Sequence, residues 1–114
     1  MPKPVRDAYR TELELADQAR VAGEPGIEFR HLERAHVIAQ AYTFQHVWTH
    51  CLMFAFGWRQ RDAREIAGQL LRLPAALLMT SIWVPLGNTG GANVSAVKPM
   101  PLPDDLKNLL AGPN

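Results

Sequence analysis

The sequence predicts an all-α domain: two antiparallel helical hairpins, then a long irregular strap and a short terminal helix. Apolar residues recur every three or four positions through most of the first 83 residues, which is the period of an amphipathic helix. Glycine and proline cluster at residues 23–26 and again after Trp83, where helices are expected to end. The chain has 114 residues and 47% hydrophobic content, which suits one folded domain with one core. We expect a helical core over 5–83, an extended strap over 84–103 and a short helix over 104–111.

The first helix is predicted to start at Val5. Its apolar stripe is interrupted by a single acidic residue, Glu12, and consists of Val5, Ala8, Tyr9, Leu15, Ala16 and Ala19. Residues 1–4 are predicted to be a tether, because Pro2 and Pro4 disfavour a regular helix. The Gly-rich connection at 23–26 ends the helix, since glycine suits a left-handed cap and proline cannot continue the hydrogen-bond ladder.

The second helix is predicted to start near Ile27 and the third to end near Trp58. We place the break between them at Gln40–Phe44, because Tyr42 and Thr43 lower helix propensity there. One unbroken helix is the alternative, but helices longer than about 25 residues are typical of coiled coils or membrane spans. The third helix has an apolar stripe at heptad-like spacing, formed by Phe44, Val47, Cys51, Phe54 and Trp58.

The fourth helix is predicted to open with a capping box formed by Asp62 and Glu65. Its stripe is Ile66, Leu70, Leu73 and Leu77, and Pro74 is expected to kink it. The three tryptophans, Trp48, Trp58 and Trp83, are expected to anchor the core. The strap is rich in Gly, Asn and Pro, and its interspersed apolar residues favour an ordered segment that wraps the helices. Pro103 and the two acidic residues after it open the terminal helix.

Composition disfavours several classes of function. The net charge of +1 gives no bulk attraction to nucleic acid or to an anionic membrane. The most apolar run, at 70–86, is interrupted by Arg72 and Pro74 and is too short for the ~20 residues of a membrane span. Cys51 is the only cysteine, so an intrachain disulfide is impossible. The first twenty residues contain no apolar signal-peptide region, and we expect a cytoplasmic protein.

Four potential metal ligands flank the break between the second and third helices. Glu33-x-x-His36 and His46-x-x-x-His50 each place two side chains on one helix face, and an antiparallel hairpin would bring the pairs together. Imidazole and carboxylate suit Zn²⁺ or another divalent transition metal. A di-iron centre needs a second Glu-x-x-His motif, which the chain lacks. The alternative is that the histidines are structural, and His31 is expected to point away from them.

No other motif predicts a catalytic or cofactor site. The glycine-rich string from Gly87 to Asn93 lacks the Gly-Lys-Ser/Thr and the following helix of a phosphate loop. Cys51 and His50 are no nucleophile pair, because adjacent helical residues diverge by about 100°. We therefore expect a protein that is not an enzyme and has no catalytic residues.

Two resemblances extend beyond the local patterns. Two helical hairpins in series resemble a tetratricopeptide-like unit, on residues Leu15, Ala16, Gly23, Leu32 and Ala35, and then Asp62, Ile66, Leu70 and Leu73. The strings HLERAH, RDAREIAGQLLR and WVPLGNTGGANVSAVKPMP resemble a small family of bacterial proteins classed as a domain of unknown function. The second resemblance implies a bacterial source and a helical fold, and it implies no established activity.

The sequence leaves two functions open. The first is a small helical accessory or adaptor protein that holds a protein partner in a hairpin groove. The second is a metal-binding protein in bacterial metal handling, with Glu33, His36, His46 and His50 as ligands of a divalent transition metal. Neither reading predicts an oligomeric state.

Overall fold

The computed structural model describes residues 1–79, 88–92 and 99–112. Within these ranges the chain forms five helices and no strand, which confirms the predicted all-α class. The helices are α1 (Lys3–Val21), α2 (Pro25–Ala39), α3 (Thr43–Arg59), α4 (Ala63–Met79) and α5 (Asp104–Ala111). Helices α1 and α2 pack together, as do α3 and α4, and α2 lies against α3. No described helix is long and apolar enough to cross a bilayer.

Most helix ends agree with the sequence. The break after α2 falls at residues 40–42, inside the predicted interval, so the single long helix is excluded. The α5 bounds are the predicted ones. Helix α1 begins at Lys3, two residues early, because proline in a first turn has no intrahelical hydrogen bond to lose. The predicted tether is therefore wrong at Lys3 and Pro4. Trp83 and half of the predicted strap, residues 84–87 and 93–98, lie outside the described residues.

The first hairpin buries most of the stripe that the sequence predicts for α1, but Leu15 is exposed. Val5 and Tyr9 of α1 pack with Ala35 and Ile38 of α2, and Leu106 of α5 closes the same core. Glu12 is buried as well, and it is paired: its carboxylate accepts hydrogen bonds from His31 Nδ1 at 2.7 Å and from Arg34 Nε at 2.8 Å. A buried carboxylate needs such partners, so the acidic residue in the stripe is compatible with the core.

The second hairpin is inverted relative to the prediction. Helix α3 buries mainly polar or small side chains, and α4 does the same; the buried polar residues are His46, Thr49, His50, Glu65, Gln69 and Arg72. Phe44, Trp48 and Trp58 of α3 are exposed, as are Leu70 and Leu77 of α4. The predicted stripes of these two helices are therefore exposed or only partly buried, and Trp48 and Trp58 are not core anchors. The apolar period identified the apolar face of each helix correctly. That face is nevertheless not the buried one, because the polar side chains of the opposite face satisfy one another's hydrogen bonds.

Candidate metal centre

Three histidine side chains meet in the interior between α2 and α3. The Nε2 atom of His36 lies 3.0 Å from that of His46 and 3.1 Å from that of His50, and the latter two are 3.2 Å apart. All three residues are buried. His46 and His50 share one face of α3 because they are four residues apart. The tight connection after Ala39 turns the chain back and sets His36 of α2 against both of them.

The other ring nitrogens of two of these histidines are held by carbonyl oxygens. His36 Nδ1 donates to the backbone oxygen of Asn88 at 2.8 Å, and His50 Nδ1 donates to the Gln69 Oε1 atom at 2.6 Å. A carbonyl oxygen can only accept, so both rings carry their proton on Nδ1. The Nε2 atoms of His36 and His50 therefore point lone pairs at each other across 3.1 Å. A cation between them would turn this repulsion into attraction.

An outer layer of polar groups fixes the histidines. The Gln69 Nε2 atom donates to the backbone oxygen of Gly90 at 2.8 Å and also to a carboxylate oxygen of Glu65. The other oxygen of Glu65 accepts a hydrogen bond from the backbone N–H of Ala92 at 3.1 Å. Residues 88–92 thus pack over the cluster and join it to α4. Hydrogen bonds of this kind orient metal-ligating histidines in general.

The position of Glu65 corrects part of the predicted capping box. Asp62 does cap α4, since its Oδ1 atom accepts a hydrogen bond from the backbone N–H of Glu65 at 3.1 Å. The Glu65 side chain does not reach back to Asp62. It is committed to Gln69 and Ala92, where a buried carboxylate finds two donors.

The structure brings together three of the four predicted ligands. The ligand atoms of His36, His46 and His50 all lie within 4.8 Å of one another, and Glu33 is outside that set. Glu33 is half-buried on α2, and burial raises the pKa of its carboxyl. His31 is away from the cluster, on Glu12, as expected. Sequence reasoning missed Gln69, Asn88 and Gly90; the only signal was a glutamine on the leucine-rich fourth helix and the glycine-rich string itself.

Burial keeps the cluster neutral. It lowers the pKa of His46 to about 4 and that of His50 to about 3, and the pKa of His36 lies well below 6.5 for the same reason. Neutral imidazole is the form that binds metal, so no proton has to leave near neutral pH. A cavity of about 380 Å³ opens near this region, but it is lined by Phe29, Phe56 and Glu65 rather than by the histidines.

We expect the metal-free protein to lose stability as the pH falls below about 6.5. In the unfolded chain each histidine takes up a proton near that pH, whereas folded His46 and His50 stay neutral down to about 4 and about 3. The unfolded state then binds more protons, which lowers the free energy of unfolding by at most ~1.4 kcal/mol per pH unit for each histidine. Urea unfolding in EDTA at several pH values between neutral and mildly acidic measures the slope. A flat profile there would contradict buried neutral histidines.

The fold and the site define a class: a small all-α chain that encloses a buried cluster of three histidines between α2 and α3. The chain belongs to the family described as "Protein of unknown function (DUF3703)", whose family model matches residues 3–110. The predicted membership of a family of unknown function is thereby confirmed. No curated protein matches the chain, and no solved structure matches it either. The tetratricopeptide-like resemblance stays a prediction.

Proposed function

We propose that this chain binds one divalent transition-metal ion through the Nε2 atoms of His36, His46 and His50. The observation that carries the proposal is the near-equilateral triangle of these atoms, with sides of 3.0, 3.1 and 3.2 Å. A triangle of side 3.1 Å has a circumradius of about 1.8 Å, slightly less than the Zn–N distance of about 2.0–2.1 Å. An ion about 1 Å above the triangle would therefore lie at the Zn–N distance from all three nitrogens.

The ligand chemistry favours Zn²⁺. Three imidazoles in a trigonal arrangement leave one position of a tetrahedron open, which is a common zinc geometry. Cu²⁺ would compete, since it has the highest intrinsic affinity for nitrogen ligands in the divalent series. Three neutral ligands leave the charge of the ion uncompensated, and buried charge is costly. The nearest carboxylate along the hydrogen-bond chain is that of Glu65, which accepts from Gln69, while Gln69 accepts from His50. This carboxylate would offset the charge of the ion.

Metal handling suits this site better than catalysis. Catalysis needs a positioned acid or base and room for a substrate at the metal. All three histidines are buried, and the carboxylate of Glu65 is already engaged by Gln69 and Ala92. The proposed ligand set also leaves out Glu33, which the sequence had suggested.

A second candidate is the accessory protein that the sequence put first. One observation favours it: the exposed aromatic and leucine side chains of α3 and α4 are suited to a protein contact. A partner function and a metal function do not exclude each other. We rank the metal function above the partner function because it is argued from the specific geometry of three nitrogen atoms.

Elemental analysis of untagged protein, followed by Zn²⁺ titration of EDTA-treated protein, tests the metal function. We expect near-stoichiometric metal or, in the stripped protein, one tight Zn²⁺ site per chain that raises the thermal unfolding midpoint. The midpoint rises because an ion that binds only the folded state stabilises it by about 2.7 kcal/mol at a hundredfold excess over Kd. A protein that neither retains nor binds Zn²⁺, Cu²⁺, Ni²⁺ or Co²⁺ would make the histidines structural.

Replacing Gln69 with leucine is expected to weaken Zn²⁺ binding by about 10–100-fold, the usual effect of removing a group that orients a ligand. Leucine leaves the Nδ1–H of His50 without the acceptor that lies 2.6 Å away in the structure, so the ring loses its fixed tautomer. Competition with a chromophoric chelator gives the two Kd values. Gln18→Leu, the same replacement at an exposed position of α1, is the control and should bind like the wild type.

A further inference from the structure

The outer side of α3 carries an apolar stripe that the described part of the chain leaves open. Phe44 is 77% exposed, Trp48 48% and Trp58 67%. Phe54 and Trp58 stack at 6.2 Å between ring centroids, and Val47 and Cys51 lie between the aromatic residues at intermediate exposure. These positions follow one another at steps of three and four, so they share one face of the helix. That face lies opposite Thr49, Met53 and Phe56, which are buried.

Helix α4 adds a second open stripe. Leu70, Leu71, Leu77 and Leu78 are each more than half exposed. They lie away from Glu65 and Gln69, the side chains that α4 turns toward the histidines and residues 88–92. Both helices of the second hairpin therefore bury polar groups, which on α3 lie beside the buried Met53 and Phe56, and expose large apolar groups. A helix whose outer face meets water normally has the opposite arrangement, with polar groups outward and apolar groups inward.

The two stripes together expose more apolar area than scattered single residues normally do. Aromatic side chains present about 150–250 Å² each, so the three of α3 leave roughly 400 Å² uncovered and the leucines bring the total to roughly 800 Å². The largest apolar patch of a typical monomer is about 300–600 Å². One side of a standard stable interface covers about 800 Å². Added together, the two stripes expose about the area that one side of a stable complex covers.

We infer that this surface is covered by a second copy of the chain, with the two α3 helices antiparallel about a two-fold axis at Cys51. A symmetric contact requires that each residue meet its counterpart in reverse order. The α3 stripe has this property: apolar residues lie three, four and seven positions to either side of Cys51, namely Phe44, Val47, Trp48, Phe54, Ala55 and Trp58. Phe44 of one copy then lies beside Trp58 of the other.

The charge pattern favours self-association over a different partner. No Asp, Glu, Lys or Arg occurs between Arg34 and Arg59, so two α3 helices can approach without like-charge repulsion. The exposed leucines of α4 add further uncharged surface. Interfaces between permanently associated identical chains are apolar in this way, whereas exchangeable partners meet through more polar surfaces. The dimer contact uses the side of the hairpin away from the histidines, so it does not depend on metal binding.

The oligomeric state of the full chain, measured by sedimentation equilibrium at micromolar concentration, tests the inference. We expect a wild-type dimer and a Trp48→Glu protein whose dimer dissociation constant is weakened by at least about 100-fold. Leu77→Glu tests the α4 part of the surface in the same way. Because both side chains are exposed, neither replacement should unfold the monomer, and circular dichroism checks this. Val21→Glu, at an apolar position of α1 that is 77% exposed, is the control and should remain dimeric.

Cross-linking tests the position of the axis. A short bis-maleimide is expected to join the two Cys51 thiols of the wild-type dimer and to give no product with Trp48→Glu or Cys51→Ser. A monomeric wild type overturns the inference, as does a dimer that Trp48→Glu and Leu77→Glu leave intact. A monomer that sediments with phosphatidylcholine vesicles would assign the surface to lipid instead. A dimer that cross-links through Cys51 in protein that binds no metal would support this inference and contradict the metal function alone.

Discussion

Replacing His50 with alanine is expected to lower the affinity for Zn²⁺ by more than about 100-fold, which is beyond the usual effect of removing an orienting group alone. The variant loses one of three ligand atoms and leaves the Gln69 amide oxygen, now 2.6 Å from His50 Nδ1, without that donor. Two histidines, His36 and His46, then remain for the ion. Competition titration against a chromophoric chelator measures the loss, and His36→Ala should give the same result because His36 Nε2 lies at 3.0 and 3.1 Å from the other two nitrogens.

The fourth histidine supplies the matched control. His31 lies on α2 like His36, but its ring is paired with Glu12 on the far side of the first hairpin. His31→Ala should therefore bind Zn²⁺ with wild-type affinity, although it removes the same number of imidazoles from the chain. Equal losses in His31→Ala and His50→Ala would indicate surface binding rather than a site. Unchanged binding in His36→Ala and His50→Ala would disprove the three-histidine centre.

The sequence could predict the parts of this site that depend on local geometry. Spacing of four residues places His46 and His50 on one helix face whatever the tertiary structure. The short break after Ala39 makes α2 and α3 neighbours, so His36 had to approach them once the break was located. By the same rule Glu33 shares a helix face with His36, but a shared face fixes only the direction of a side chain and not how far it reaches. Its carboxylate is not among the ligand atoms that lie within 4.8 Å of one another.

The inverted hairpin was beyond prediction for a physical reason. The spacing of apolar residues identifies an apolar face on α3 and on α4, and such a face is usually buried. Here the opposite faces carry His50, Gln69 and Glu65, which satisfy one another when they are buried together. Whether that network forms depends on residues far apart in sequence, such as His50 and Gln69. The apolar period predicts buried stripes, whereas the single chain exposes them. A second copy of the chain on the outer face would bury the stripes in the dimer.

The contact between residues 88–92 and the histidines could not be predicted from the sequence either. Asn88 supplies its backbone oxygen to His36 across 52 residues of sequence, and a backbone oxygen carries no residue-type signal. Gly90 is the exception, because its sequence identity matters to the site. Its φ of 86° lies in the left-handed region, and a side chain there would be directed at His36. The glycine-rich string is therefore part of the centre as well as a turn.

Replacing Gly90 with alanine is expected to destabilise the protein by at least about 2 kcal/mol and to weaken Zn²⁺ binding by at least about 10-fold. An added Cβ would lie 2.6 Å from His36 Cδ2 and 2.7 Å from His36 Nε2, so the ring must move away from the other two histidines. The left-handed backbone adds its own cost for any residue with a Cβ. Urea unfolding and chelator competition measure the two effects separately.

Two other glycines separate the steric effect from the backbone effect. Gly23 has a φ of 71° but open space around it, so Gly23→Ala should cost stability and leave Zn²⁺ affinity unchanged. Gly26 lies in the first turn of α2 with open space and no left-handed φ, so Gly26→Ala should be neutral or stabilising by about 0.4–1 kcal/mol. A loss of affinity confined to Gly90→Ala would mean that this glycine holds His36 in place. Wild-type affinity in Gly90→Ala would mean that residues 88–92 stabilise the fold without positioning the ligand.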